Sequence, residues 1–143
     1  MNNQNSAKVA WLRSYSQSTH QERLLAEDIA QAKKRAINIK QYDLPDDIKK
    51  EIIQNAAQQC EEYQKQLVDQ IKKSEKLRTD IRAAIGRLEN QMQQAVLEAR
   101  YIEGLEWWKI STKLHISERW ARNVHQKAIE SLESVPSTSA FYS

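Results

Sequence analysis

The sequence predicts an all-α protein in which an N-terminal antiparallel coiled-coil hairpin is followed by a C-terminal helix-turn-helix. Three observations predict it. Glycine and proline are scarce, two of each in 143 residues, in a chain rich in Gln, Lys and Glu, which is the composition of long helices and not of strands. Apolar residues recur every three or four positions through most of the first 95 residues. Between residues 97 and 132 the same periodicity shortens into brief helices, with a break and a capping serine between the last two.

In the first helix Trp11, Tyr15, Ser18, Glu22, Leu25, Ile29, Ala32, Ala36 and Ile39 form a seam that is apolar except at Ser18 and Glu22. Tyr42-Asp43-Leu44-Pro45 interrupts it, because the residue before a proline is pushed out of the helical region. Pro45 can open the next helix, with Asp46 and Asp47 placed on its positive N-terminus.

From there Ile53, Ala56, Cys60, Tyr63, Leu67, Gln70, Ser74, Leu77, Ile81, Ala84 and Leu88 hold a seven-residue repeat, broadened by Ala57, Ile71, Ile85 and Met92. Read as one helix, residues 46–95 would span about 75 Å at about 1.5 Å per residue, too long to stand alone in water. The expected solution folds residues 11–41 back antiparallel on 47–78. The overhang to residue 95 then leaves Ile81, Ile85, Leu88 and Met92 needing a cover, either the C-terminal helices or a second copy. A homodimer through this stripe is the preferred expectation, because doubling a binding head multiplies its affinity. Gln70 and Ser74 occupy core positions, where polar residues weaken packing and fix register.

The stretch LEARYIEGLEWWKISTKLHISERWARNVHQKAIESL, from Leu97 to Leu132, carries the functional signal. Trp107, Ile110 and Leu114 cover one face of a short helix. His115-Ile116-Ser117 breaks it, with Ile116 pinning the turn and Ser117 capping the next helix. That helix turns Ala121, Val124, Ala128, Ile129 and Leu132 inward. Outward it shows Glu118, Arg119, Arg122, Asn123, Gln126 and Lys127. Arg, Asn and Gln are the side chains that pair bidentately with guanine or adenine edges, so this face suits the major groove of double-stranded DNA. Trp120 either packs against Trp107 or Trp108 or touches DNA. The expected DNA-contacting set is Ser117, Glu118, Arg119, Trp120, Arg122, Asn123, Gln126 and Lys127.

These residues resemble region 4 of bacterial primary sigma factors, the module that reads the promoter −35 element. They are still more similar to small phage and prophage proteins of Gram-positive bacteria with a sigma-region-4-like domain, the RinA/ArpU-type late transcription regulators. The resemblance rests on Leu97, Arg100-Tyr101, Gly104-Leu105-Glu106-Trp107, Lys109-Ile110-Ser111, Leu114-His115, Ser117-Glu118-Arg119-Trp120-Ala121, and the later His125 and Ala128. It implies a sequence-specific, phage-type regulator that activates late genes with host RNA polymerase in the cytoplasm of a bacterial cell. The alternative is a non-catalytic phage assembly protein, such as a terminase small subunit, using the helix-turn-helix as a DNA anchor. Three positions depart from the family's pattern. His115 stands where the family carries Gly, so His must adopt any left-handed conformation required there. Glu106 replaces a serine cap, and Trp108 replaces a polar residue.

Charge divides unevenly. Residues 1–45 carry seven Lys or Arg against four acids, residues 46–95 nine against nine, and residues 96–143 six against six. A free-standing DNA binder gains most of its non-specific affinity from phosphate neutralisation, so a neutral reading head fits one that shares its affinity with a partner. Six cations between Lys72 and Arg87 outnumber Glu75 and Asp80; they form either a solvated face or a phosphate-contacting flank.

No run of eighteen apolar residues exists to span a membrane, and the N-terminal residues lack the apolar core of a signal peptide. Cys60 has no second cysteine to pair with and sits in the seam as a small hydrophobe. His20, His115 and His125 are too far apart for a zinc pattern, and two glycines cannot build a phosphate-cradling loop. The expectation is therefore no enzyme, no cofactor and no metal. In chain order, the segments expected are a hairpin over 1–95, a helix-turn-helix over 96–133 and a disordered tail over 134–143.

Overall fold

Asp46 and Asp47 open the longest helix of the chain, and the interruption from Tyr42 to Pro45 separates it from the helix before. The computed structural model describes residues 3–133, so the expected tail lies outside the described residues. In chain order the helices are α1 (Asn3–Asn38), a 3₁₀ turn (Ile39–Gln41), α2 (Asp46–Gly86), α3 (Gln91–Leu97), a π-helical turn (Glu98–Ile102), α4 (Trp107–Leu114) and α5 (Glu118–Ser131). The fold is all-α, with no strand among the described residues.

By packing, the chain divides into two compact units. One joins the residues up to Gln17 to those from Lys73 onward; the other runs from Ser18 to Lys72. Packing thus groups the chain differently from its linear segmentation at residue 95.

The unit from Ser18 to Lys72, hereafter the hairpin unit, is made of α1 and α2 packed side by side. Arg35 Nη1 donates to Gln59 Oε1 at 2.8 Å, and Gln70 Nε2 donates to Ser18 Oγ at 2.7 Å. As one partner's number rises the other's falls, so the helices run antiparallel. The polar residues that interrupt the two seams therefore meet each other. Pairing Ser18 with Gln70 satisfies both groups in the seam and ties one register, since a slip would strand a half-buried amide.

The discontinuous unit has the larger core. Val9, Trp11 and Leu12 of α1 meet Leu77, Ile81, Ala84 and Ile85 of α2, together with Leu88, Leu97, Tyr101, Ala128, Ile129 and Leu132. Leu12, Leu77 and Ile81 are fully buried. Lys8 is buried as well, and its Nζ donates to the Ile129 carbonyl at 3.0 Å. A cation on the last carbonyls of α5 satisfies orphan acceptors and opposes the negative end of the helix dipole.

Two expectations are corrected here. Residues 46–95 do not form one helix. α2 ends at Gly86, and the chain turns through Arg87 N–H to Ala84 O and Leu88 N–H to Ile85 O. Asn90 then caps α3, its side chain accepting from Gln93 N–H at 2.9 Å. The break lets the chain fold back, so the stripe is covered by its own protein. Ile81, Ile85 and Leu88 are buried within the unit's core, against α1 and the C-terminal helices, and Met92 is half-buried. The argument for a homodimer through that stripe is removed.

Candidate functional site

α4 and α5 are joined by a tight turn whose conformation follows from its residues. His115 ends α4 in the left-handed region, φ 57° and ψ 44°, and donates its N–H to Ser111 O. This is the position where the resemblance sets a histidine in place of glycine, which adopts that conformation freely. The Ser111 hydroxyl bonds the Ile116 carbonyl, and Ile116 packs on a small core of Ala99, Ile110 and Ala121. Ser117 caps α5 as expected, its hydroxyl accepting from Trp120 N–H at 3.0 Å.

α5 has two unlike faces. Ala121, Val124, Ala128 and Ile129 are buried, as is Leu132 just beyond it. Ser117, Glu118, Arg119, Trp120, Arg122, Asn123, Gln126 and Lys127 are all exposed. At about 100° per residue, Arg119, Asn123 and Gln126 lie along the middle of the exposed face. Arg122 and Trp120 lie on its opposite flanks. Gln126 Nε2 leans toward Glu130 Oε1 at 3.4 Å, a contact weak enough to exchange freely.

The flanks are not equivalent. The Arg122 guanidinium stacks over the Trp107 ring at 5.3 Å, and Arg100 stacks over the same ring at 4.8 Å. Trp107 is thus half-buried packing that also holds two cations, one of which, Arg122, belongs to the expected site. Trp120 instead is exposed, and so is Trp108, whose indole N–H donates to Glu106 Oε2 at 2.6 Å. Glu106 sits at the N-cap position of α4, but its side chain makes no capping bond and holds this indole instead.

Against Trp107 lies a pair that the sequence did not suggest. The Tyr101 hydroxyl and His125 Nε2 are 2.7 Å apart, and the His125 ring meets Trp107 edge-on at 5.2 Å. Burial, reinforced by the positive charges of Arg100 and Arg13, holds the His125 imidazole down at about 4. Burial also raises the Tyr101 hydroxyl above its ordinary value, against the pull of Arg13 and Arg100. Both groups are neutral at pH 7, so Tyr101 donates, Nε2 accepts and the imidazole proton sits on Nδ1. The π-helical turn places these residues. Glu103 N–H reaches Glu98 O at 3.0 Å, five residues back, and the turn brings Tyr101 inward while Arg100 reaches Trp107.

Of the cations between Lys72 and Arg87, Arg82 pairs with Glu98 at 2.7 Å, Arg87 with Glu133 at 3.0 Å and Lys76 with Asp80 at 3.5 Å. Half of that group is therefore already neutralised locally. Among the described residues no group of three or more His, Cys, Asp or Glu is placed to hold a metal, and no helix is long and apolar enough to cross a membrane.

A family model described as a protein of unknown function (DUF1492) matches residues 31–133, from within α1 through α5, and the chain belongs to that family. No curated protein and no solved structure matches it.

Proposed function

We propose that this DUF1492 protein is a sequence-specific, phage-type transcription regulator that binds double-stranded DNA through a helix-turn-helix formed by α4 and α5 and activates late genes with host RNA polymerase. One observation carries the reading: a capped helix buries one side completely and exposes Arg119, Asn123 and Gln126 along the other. In the major groove Arg119 is suited to the O6 and N7 of guanine, and Asn123 or Gln126 to the N6 and N7 of adenine. The capped N-terminus would face the phosphate backbone, which positions the helix but does not select sequence. Arg122 starts from its stack on Trp107, so it must leave the ring to reach a base. Arg119 and Asn123 carry more of the readout for that reason.

The full chain should enrich one sequence from a pool of random duplexes. On that sequence Arg119→Ala should weaken binding by about 1–3 kcal/mol, with less effect on unrelated DNA. Lys127→Ala should weaken both alike. Equal losses on both DNAs for Arg119→Ala would remove base readout from this residue, and a pool that stays random would remove the reading itself.

The polymerase part rests on the resemblance to the −35 module and on the six-against-six charge balance of residues 96–143. A head with little phosphate attraction of its own gains from a second contact. Run-off transcription with host holoenzyme should rise when the protein is added. Flat transcript with the site occupied would favour the reading as a DNA anchor in phage assembly.

A further inference from the structure

A cleft of about 300 Å³ lies within the discontinuous unit, where α1 passes the π-helical turn. Arg13, Ser16 and Gln17 line it from α1, and Arg100, Tyr101 and Gly104 line it from the turn and just beyond. Its α1 side lies outside the residues that the family model matches, which begin at residue 31.

The cleft is lined by two guanidinium groups and no carboxylate. Arg100 is fixed there: its Nη1 donates to the Leu105 carbonyl at 3.0 Å, and it stacks over Trp107. The acids nearest to it in sequence are engaged elsewhere, Glu98 with Arg82, Glu103 with Lys113 and Glu106 with the Trp108 indole. On the α1 side there is no acid to engage, because residues 1–21 contain no Asp or Glu. The charges of Arg13 and Arg100 both act on Tyr101 and on His125, so they converge on one wall. Two like charges converging without a counter-charge repel each other, and an anion between them relieves that repulsion.

The position of the cleft says which anion. Tyr101 bonds His125 of α5, and Arg100 shares the Trp107 ring with Arg122. At about 100° per residue the α5 surface passes from Arg119 through Arg122 to His125, so the cleft lies just beyond the Arg122 flank. A helix with its side chains is about 10–12 Å across and the major groove about 12 Å wide. A helix lying in that groove therefore has a ridge of phosphates beyond each flank. Lys127, on the side of Trp120, is placed for one ridge and the cleft for the other.

We propose that this cleft receives a backbone phosphate of bound DNA between Arg13 and Arg100, so that α1 adds a contact outside the helix-turn-helix. The inference rests on the reading of α4 and α5 as a DNA-binding pair. It adds from α1 a charge that residues 96–143, with six cations against six acids, do not have in excess. A guanidinium suits the task because its fork of N–H donors matches two phosphate oxygens.

Arg13 is exposed, so Arg13→Gln should keep its helical circular dichroism. Releasing one counterion into about 0.1 M salt is worth about five- to tenfold in affinity. Arg13→Gln should therefore bind the selected duplex and unrelated duplexes more weakly by that same factor. Its slope of log affinity against log salt should be shallower by about one, and Arg13→Lys should restore the slope. Single methylphosphonates, each neutralising one phosphate of the selected duplex, locate the contact. One position should weaken the wild type and leave Arg13→Gln unaffected; a selected duplex with no such position overturns the proposal. Unchanged affinity and slope in Arg13→Gln overturn it too, while leaving base readout by Arg119 intact. Where the wild type binds every duplex alike and Arg13→Gln is weaker and shallower, the contact stands and base readout falls. A wild type that binds no duplex overturns both. If DNA binding is unchanged but millimolar inorganic phosphate raises the Tm of the wild type and not of Arg13→Gln, the cleft serves a free phosphate and the DNA contact is overturned.

Discussion

Of the twenty-one apolar residues buried in the described chain, eighteen lie in the discontinuous unit, and three, Leu25, Ala32 and Ala56, lie between Ser18 and Lys72. The exposed large apolar residues divide the other way. Leu24, Ile37, Tyr42, Leu44, Ile48, Val68 and Ile71 belong to the hairpin unit, while among the described residues the discontinuous unit exposes only Trp108 and Trp120. The same two helices serve both units, with the same apolar period. What differs is the third layer. Two helices can cover one stripe of each other, and a broader stripe stays wet unless something else lies over it. In the discontinuous unit α3 and α5 supply that cover.

The comparison can be broken by substitution. Ile81→Ala removes a fully buried side chain from the larger core and should cost about 3 kcal/mol. Leu24→Ala, on the exposed surface of the hairpin unit, should cost about 0.5 kcal/mol or less. Urea titrations of the two variants measure both. Equal costs would mean that the hairpin unit is as firmly packed as the other and that the contrast in burial has no energetic content.

The features legible in the sequence were those that depend on local spacing. Ser117 as a cap, the inward set from Ala121 to Leu132 and the end of α1 before Pro45 each follow from a few neighbouring residues. His115 as the left-handed residue came only from the resemblance, and the meeting of the polar seam residues Ser18 and Gln70, 52 positions apart, shows only in the structure. The break after Gly86 was obscured, because Ile81, Ile85, Leu88 and Met92 keep helical spacing straight across it. Gly86 and the capping Asn90 were the available signals, and the unbroken period outweighed them. Lys8 on the Ile129 carbonyl and Tyr101 on His125 could not be read at all. They join residues 121 and 24 positions apart, and spacing within one helix carries no such distance. The shared exposure of the expected DNA-contacting residues was legible as a face of α5, whereas the stack that engages Arg122 depends on how α4 lies beside it.

A smaller effect sharpens the comparison by titrating one unit from within. His125 has an ordinary value near 6.5 when unfolded and is held at about 4 when folded, because burial and two arginines oppose its charge. Between these values the unfolded chain binds more protons than the folded one. Stability is therefore full above pH 6.5, falls as pH drops toward 4 and levels off below that. The ring is partly exposed, so screening reduces the loss to about 1–2 kcal/mol. His125→Gln keeps an acceptor for the Tyr101 hydroxyl but cannot take up the proton. Urea midpoints measured from pH 7 to pH 4 should slope less in this variant. Parallel slopes in the two proteins would show that His125 does not sense acid.

The smallest effect concerns the turn between α4 and α5, where backbone strain can be separated from packing. A non-glycine residue in the left-handed region costs about 1–2 kcal/mol, at the lower end for residues that tolerate it. Glycine relieves that cost but gains freedom in the unfolded chain worth about 0.4–1 kcal/mol. His115→Gly should therefore raise stability by about 0.5 kcal/mol, a rise of a few degrees or less in Tm. Gly104 provides the reverse control. Its φ is 72° and a methyl group there would meet nothing within 4 Å, so Gly104→Ala tests the backbone alone. It should lower stability by about 1 kcal/mol. If Gly104→Ala behaves so while His115→Gly lowers Tm, then the His115 ring contributes more than its backbone costs. Because His115 is exposed in the free protein, that result would direct attention to contacts the ring makes outside the core.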